Sequence, residues 1–279
     1  RIGWIGLGHI GRPMAERVLA AGLPLTVWAR RREAAQPLLD AGARWADDPA
    51  ALARDSDIVA TIVGGPDDVE ALHARLMPAA RPGTLFVDMT TAAPRNAAAS
   101  SARAARCGVV SIDAPVTGGV AGAQRGTLTS FVGGDAEAVE RARPLLAAYS
   151  QRIVPCGPAG SGYRLKLVNQ TMIAGVLLGL ADGTRLARAA GFEAQALQAA
   201  LAGGTAGGFL FEAYLGRMMN GGGAVSFSLG LLRKDLRLAH GESMALGLQP
   251  RLLDAAITAL DGAIARHGAA AGVQMLAAD

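Results

Sequence analysis

Short apolar runs recur along the first 160 residues, at 2–6, 25–29, 58–63, 85–89, 109–112 and 128–132. They are rich in Val, Ile and Leu and lack the every-second-residue polarity of a half-solvated strand. Strands covered on both faces of a parallel sheet have this pattern. Stretches between them, such as 9–21, 66–77 and 94–106, carry a helical period. Strand and helix alternating in this way predict an α/β, Rossmann-type doubly wound sheet with right-handed crossovers.

The texture changes after residue 153. Pro155, Gly157, Pro158, Gly160 and Gly162 form a cluster of breakers, and no further strand signal follows. Helical periodicity then covers 163–190, 194–202, 208–219, 229–246 and 251–266, with Gly191, Gly203, Gly221 and Gly247 as stops. The expected organisation is a dinucleotide-binding domain over 1–162 and an all-helical substrate and oligomerisation domain over 163–279. The long first helix would join them, and the crevice between domains is where cofactor and substrate are expected.

Composition narrows the function. A hydrophobic content of 51% supplies ample core and excludes disordered and fibrous classes. The longest uncharged apolar run, 171–181, is about half of a membrane span, so no membrane partner is expected. Two cysteines, Cys107 and Cys156, exclude a disulfide scaffold and a Cys-rich zinc site, so no metal is expected. No charged n-region with an apolar h-region opens the sequence, and a reducing, cytoplasmic setting is the expectation. The formal charge is +4, but the basic residues are scattered and only 4% of residues are aromatic. A solvated basic surface therefore outweighs a nucleic-acid face. Within the 27 basic residues, 25 are Arg, leaving Lys166 and Lys234 as the two lysines.

The run Gly6-Leu7-Gly8-His9-Ile10-Gly11 is a GxGxxG that follows a strand and opens a helix, the context the motif needs. Gly6 permits the tight turn, Gly8 lets backbone approach a pyrophosphate, and Gly11 allows close helix–sheet packing. Phosphate would rest on free N–H groups at the helix start. The second strand ends in Trp28-Ala29-Arg30-Arg31-Arg32, and no acid appears before Glu33. An NAD site usually places a carboxylate here for the ribose hydroxyls. Ala29 with Arg30 and Arg31 suits a 2′-phosphate instead. NADP(H) is the expected cofactor, with NAD(H) as the alternative.

Three loops fall at strand C-termini, where a parallel sheet binds ligands: Val63-Gly64-Gly65-Pro66-Asp67-Asp68, Asp88-Met89-Thr90-Thr91-Ala92-Ala93-Pro94, and Asp113-Ala114-Pro115-Val116-Thr117-Gly118-Gly119. Thr117, Gly118 and Gly119 offer a hydroxyl and free backbone N–H groups, a nest suited to a carboxylate. Lys166 and Asn169 lie three apart on the long helix and share one face. Leu165, Leu167, Val168 and Met172 around them are apolar, so the helix is expected to be largely buried. Lys can give up a proton where Arg cannot. A chain that otherwise uses Arg and keeps Lys166 here fits a proton-transfer role. Lys234-Asp235, taken alone, reads equally as a surface charge cluster or a ligand contact.

These motifs together resemble the β-hydroxyacid dehydrogenase family, which is 3-hydroxyisobutyrate dehydrogenase-like and has a 6-phosphogluconate dehydrogenase-type NADP-binding domain. The family's opening strand and GxGxxG are similar to residues 5–15. Its Asp-x-Ser-Thr-x-x-Pro loop resembles Asp88 to Pro94, with Thr90 for Ser. Its Asp-Ala-Pro-Val-Ser-Gly-Gly resembles Asp113 to Gly119, with Thr117 for Ser. Its Lys-x-x-Asn-Asn helix corresponds to Lys166, Asn169 and Gln170, and its late Lys-Asp-Leu to Lys234, Asp235 and Leu236.

The resemblance implies hydride transfer between NADP(H) and a small β-hydroxy acid or its semialdehyde. Lys166 would be catalytic, with Asn169 and Thr117 to Gly119 holding the substrate. Val63, Gly64, Asp68, Thr91 and Lys234 would surround the cofactor. The sequence departs from the pattern at Val63-Gly64 for Leu-Pro, Asp68 for a frequent Asn, Gln170 for the second Asn, and Gly272-Val273-Gln274 where an Asp is usual. Two other readings share parts of this sequence. An imine reductase-like NADPH enzyme would be expected to replace the Lys, and a non-catalytic NADPH-binding module would be expected to lose it. A small-molecule substrate and a homodimer or homotetramer complete the expectation.

Overall fold

The computed structural model describes residues 1–278. Its elements run β1 (Ile2–Ile5), α1 (Gly11–Ala20), β2 (Leu25–Trp28), α2 (Gln36–Asp40), β3 (Arg44–Trp45), α3 (Pro49–Asp55), β4 (Ile58–Thr61) and α4 (Pro66–Leu76). Next come β5 (Leu85–Asp88), α5 (Pro94–Cys107), β6 (Val110–Asp113), β7 (Val116–Thr117), α6 (Gly119–Arg125), β8 (Leu128–Gly133), α7 (Ala136–Ala147) and β9 (Ser150–Gly157). Helices follow: α8 (Ser161–Ala189), α9 (Ala194–Leu201), α10 (Phe209–Met219), α11 (Leu229–Ala245) and α12 (Arg251–His267). The chain divides into two compact units, Arg1–Lys166 and Leu167–Asp279, and the division falls inside α8.

The first unit is built on a nine-stranded sheet. Six parallel strands run in the order β3-β2-β1-β4-β5-β6, the doubly wound arrangement of a Rossmann-type fold. β8 then joins β6 and β7 antiparallel and β9 parallel. Side chains alternate across the sheet. Ile2 and Trp4 enter a core with Met14, Val18, Leu128 and Leu145, while Ile5 enters the opposite core with Leu52, Leu76 and Phe86. Two filled faces explain why β1, β4 and β5 read as unbroken apolar runs.

The second unit is held by helical stripes. Leu167, Ala174, Leu177 and Ala181 of α8 meet Leu229, Leu232, Leu236 and Ala239 of α11 and Leu253, Ala256, Leu260 and Ala263 of α12 in one core. Members of each set lie three, four or seven residues apart, the spacings that put side chains on one helix face. Ser228 caps α11, its Oγ accepting from the Leu231 N–H at 3.3 Å. Among the described residues, no helix is long and apolar enough to cross a membrane.

One sequence expectation needs correction, and two short strands are added. The breaker cluster at 155–162 begins inside a strand, because β9 runs through Pro155 to Gly157. Pro is tolerated there because β9 pairs on one side only, with β8. The two-residue strands β3 and β7 carry no readable periodicity and were not predicted.

Candidate active site

The turn between β1 and α1 separates glycines that the protein's own packing demands from one that it does not. Gly6 has φ +109°, and a Cβ there would lie 1.9 Å from the Ile62 carbonyl oxygen. A Cβ on Gly11 would sit 2.2 Å from the Gly6 carbonyl oxygen. Gly8 is exposed, has no left-handed φ, and a Cβ on it would meet nothing within 4 Å. Packing and backbone conformation therefore explain Gly6 and Gly11, and close approach of a ligand is what remains for Gly8. Among the described residues, no side chain caps α1 and no acid occupies its first turn, so nothing there opposes the attraction of its N-terminal dipole for an anion. These residues fit a dinucleotide pyrophosphate. Leu7 and Ile10 pack against the core, while His9 is exposed.

At the end of β2 the three arginines separate. Arg32 lies 5.2 Å over the Trp45 ring and 4.0 Å from Asp47. Arg30 and Arg31 are exposed, and neither side chain is engaged in an ion pair among the described residues. Ala29 is half-buried.

Buried carboxylates organise the other loops. Asp88 and Asp113 end the adjacent strands β5 and β6 in register. Asp88, 2% exposed, accepts from Thr61 Oγ1 at 2.6 Å, from Thr90 Oγ1 at 2.9 Å and from the Tyr163 phenol. Burial pushes its pKa up to about 6, and the hydroxyl donors pull only partly the other way. Burial and the neighbouring Asp88 likewise raise the Tyr163 phenol well above its usual range. Thr90 Oγ1 also accepts from the Val63 N–H at 3.0 Å, tying the loop after β4 to the loop after β5. Thr90 is thus committed internally, and its neighbour Thr91 is half-buried. Gly64 is exposed, and a Cβ on it would lie 2.7 Å from Asp68 Oδ2. Asp67 and Asp68 occupy the first turn of α4, where carboxylates complement the helix dipole.

Asp113 caps the long helix. It accepts from the Gly160 N–H at 2.6 Å and from the Tyr163 N–H at 2.8 Å, while burial raises its pKa against these donors. A Cβ on Gly162 would lie 2.4 Å from the Phe131 carbonyl oxygen and 2.8 Å from Asp113 Oδ2. The first turn of α8 is therefore fixed to two strand ends, by Asp113 at its backbone and by Asp88 at the Tyr163 ring. Lys166 follows Tyr163 by three residues and is 8% exposed. Sequence reasoning quoted Asp88 and Asp113 within motifs but missed them and Tyr163 as one network. The available signal was an acid ending each of two largely apolar strands, with Gly-x-Gly at 160–162 beyond.

The turn after β7 has two left-handed glycines, Gly118 at φ +125° and Gly119 at φ +66°, beside a half-buried Thr117. In the helical unit, Asn169 Nδ2 donates to Gln170 Oε1 at 3.0 Å and Gln170 Nε2 donates to Asp235 Oδ2 at 2.7 Å. Lys234 Nζ stands 3.0 Å from Asp235 Oδ1. Lys234-Asp235 is thus a half-buried ion pair and not a surface charge cluster. The expectation that α8 is largely buried near Lys166 holds for one face only: Val168 is 44% and Met172 67% exposed.

A Rossmann-type sheet with a GxGxxG turn open to a ligand defines a dinucleotide-binding class, and comparison with known proteins narrows it. Residues 1–157 match the family described as the NAD binding domain of 6-phosphogluconate dehydrogenase. Residues 160–278 match the NAD-binding family of NADP-dependent 3-hydroxyisobutyrate dehydrogenase. The NAD-dependent L-serine dehydrogenase of Pseudomonas aeruginosa is 37% identical over 88% of this chain and 86% of its own. Among solved structures, Mycobacterium tuberculosis 3-hydroxyisobutyrate dehydrogenase with L-serine superposes with TM-score 0.88 at 29% identity, covering 99% of this chain and 97% of that one. Psf3 in complex with NADP+ and 2-OPP gives 0.93 at 28% identity, covering 100% and 99%. The chain belongs to the β-hydroxyacid dehydrogenase family. It is an NAD(P)-dependent oxidoreductase by that membership.

Proposed function

We propose that this protein transfers hydride between NADP(H) and a small β-hydroxy acid or its semialdehyde, with Lys166 as general acid and base. The observation that carries the reading is the buried Lys166, one turn beyond a helix start fixed by Asp113 and by Tyr163 on Asp88. A nicotinamide ring, when bound, supplies or accepts the hydride. Lys166 Nζ gives a proton to the carbonyl oxygen in reduction and takes the hydroxyl proton in oxidation. Asn169 orients the reacting hydroxyl, and the Thr117-Gly118-Gly119 nest receives the carboxylate.

Gly6, Leu7, Gly8, His9, Ile10 and Gly11 hold the pyrophosphate, with Val63, Gly64, Asp68, Thr91 and Lys234 around the rest of the cofactor. The NADP(H) preference is supported by Arg30 and Arg31, which follow Ala29, are exposed and make no ion pair among the described residues. The substrate class is supported by the L-serine that two of the relatives carry in their descriptions. A homodimer or homotetramer is supported by the exposed apolar Val168, Met172 and Val176, four residues apart on α8. A monomeric mass by light scattering contradicts that assembly.

The catalytic reading is tested by following reduced nucleotide at 340 nm. NADP+ and NAD+ are each offered with L-serine, 3-hydroxyisobutyrate and other short hydroxy acids, and NADPH with the aldehydes and a cyclic imine. Turnover of a β-hydroxy acid, faster with NADP+, is expected. Turnover of the imine alone, or of nothing while NADPH binds tightly, overturns the reading.

A further inference from the structure

The chain Lys234–Asp235–Gln170–Asn169 links a charge on α11 to an amide on α8, and nothing in the proposed chemistry yet uses its middle. Gln170 is 2% exposed and Asp235 5% exposed, so neither can exchange its partners freely with water. Asp235 Oδ1 stands 3.0 Å from Lys234 Nζ, and a carboxylate in an ion pair can only accept hydrogen bonds. Gln170 must therefore turn its Nε2 toward Asp235, which leaves Oε1 facing Asn169. Asn169 must in turn offer Nδ2 to Oε1, which leaves its own Oδ1 as an acceptor. Reversing Gln170 would set oxygen against oxygen at a buried contact, and reversing Asn169 would do so at a part-buried one, each at the cost of a lost bond.

We infer that Asp235, acting through Gln170, fixes the polarity of the Asn169 amide, so that Asn169 presents an acceptor oxygen on the Lys166 face of α8. Gln170 and Asp235 are positioning residues. The inference rests on the proposed roles of Lys166 and Asn169 for its catalytic meaning, though the orientation itself does not. An acceptor at Asn169 suits a hydroxyl or ammonium partner and turns away a substrate atom that can only accept. A neutral residue at 235 would leave both orientations of each amide equally available.

The chain has three asparagines, Asn96, Asn169 and Asn220, so an asparagine-selective ¹⁵N spectrum of the full-length protein contains three side-chain amide pairs. Asn169→Ala assigns one of them by its disappearance. Gln170→Met keeps the volume and removes the relay; Asp235→Asn keeps the shape and removes the charge. Both should move the Asn169 pair and speed its solvent exchange about tenfold or more, as expected when a protecting hydrogen bond opens. The Asn96 and Asn220 pairs should stay in place. An Asn169 pair unmoved in either variant overturns the inference, whatever Lys166 does.

The kinetic arm uses the first hydroxy acid that the wild-type protein oxidises. Gln170→Met should lower kcat about tenfold, the size of one net hydrogen bond, with NADPH Kd within about twofold. In an Asn169→Ala background the same change should cost less than about twofold, because residues acting through one another are not additive. Fully additive losses overturn the positioning role. If the amide signals respond while Lys166→Ala keeps wild-type turnover, the orientation stands and the catalytic reading fails.

Discussion

Asp88 is enclosed by three hydroxyl donors, and no basic side chain pairs with it among the described residues. Its pKa, raised from 3.8 to about 6 on folding, makes the folded state the better proton binder between those values. Stability from Asp88 is therefore full below pH about 4 and is lost as pH rises through about 6. His73 works in the opposite sense. Burial and Arg103 lower it from 6.5 to about 4, so its contribution is present above 6.5 and lost as pH falls. The two oppose each other in the wild-type protein. Asp88→Asn removes one of them. The stability of wild type relative to Asp88→Asn should grow by up to about 3 kcal/mol as pH falls from 7 to 4, at about 1.4 kcal/mol per pKa unit. Urea denaturation at both pH values measures it, and a pH-independent difference contradicts the assignment. In the sequence, Asp88 stood in a legible motif. Tyr163, its partner, lies 75 residues away, and periodicity cannot report a contact of that kind.

At the scale of elements, the turn before α1 gives a contrast between two glycines in one motif. Gly11→Ala would force a Cβ to 2.2 Å from backbone, whereas Gly8→Ala would place one in open space. Gly11→Ala should lower stability by about 1–3 kcal/mol, as overpacked positions do. Gly8→Ala should melt like wild type yet weaken NADPH binding about tenfold or more, as read by thermal melting and fluorescence titration. Unchanged NADPH affinity in Gly8→Ala would falsify the pyrophosphate assignment. The core strands and all five helices of the second unit were legible because burial dictates their periods directly. β9 was not: it is an edge strand with mixed exposure, it opens on Ser150-Gln151-Arg152, and it contains Pro155. The cap of α8 by Asp113 was illegible for another reason, since a side chain 47 residues upstream supplies it.

For the whole molecule, the sequence conveyed class and family because five motifs fall in order along both units. It conveyed less about cofactor choice, and the proposed preference rests on two exposed arginines whose neighbour Arg32 is occupied by Trp45 and Asp47. Replacing Arg30 and Arg31 together by Ala should raise the NADPH Kd about tenfold or more, the scale of lost charge-assisted bonds to a phosphate. The NADH Kd should stay within about twofold to threefold, since that molecule lacks the 2′-phosphate. Equal losses for both nucleotides would remove the arginines from the account.

The composition of the chain also frames its central claim. With 25 Arg among 27 basic residues, Lys166 holds a position where the chain's usual cation would serve if charge were enough. Arg keeps the charge and cannot act as a base at working pH. The most direct measurement is therefore turnover of Lys166→Arg beside Lys166→Ala, with NADPH affinity measured for each. Loss of a general acid–base group predicts that both lose at least about 100-fold in kcat, while NADPH Kd stays within about twofold of wild type. A Lys166→Arg protein that keeps more than about a tenth of wild-type turnover contradicts proton transfer by Lys166.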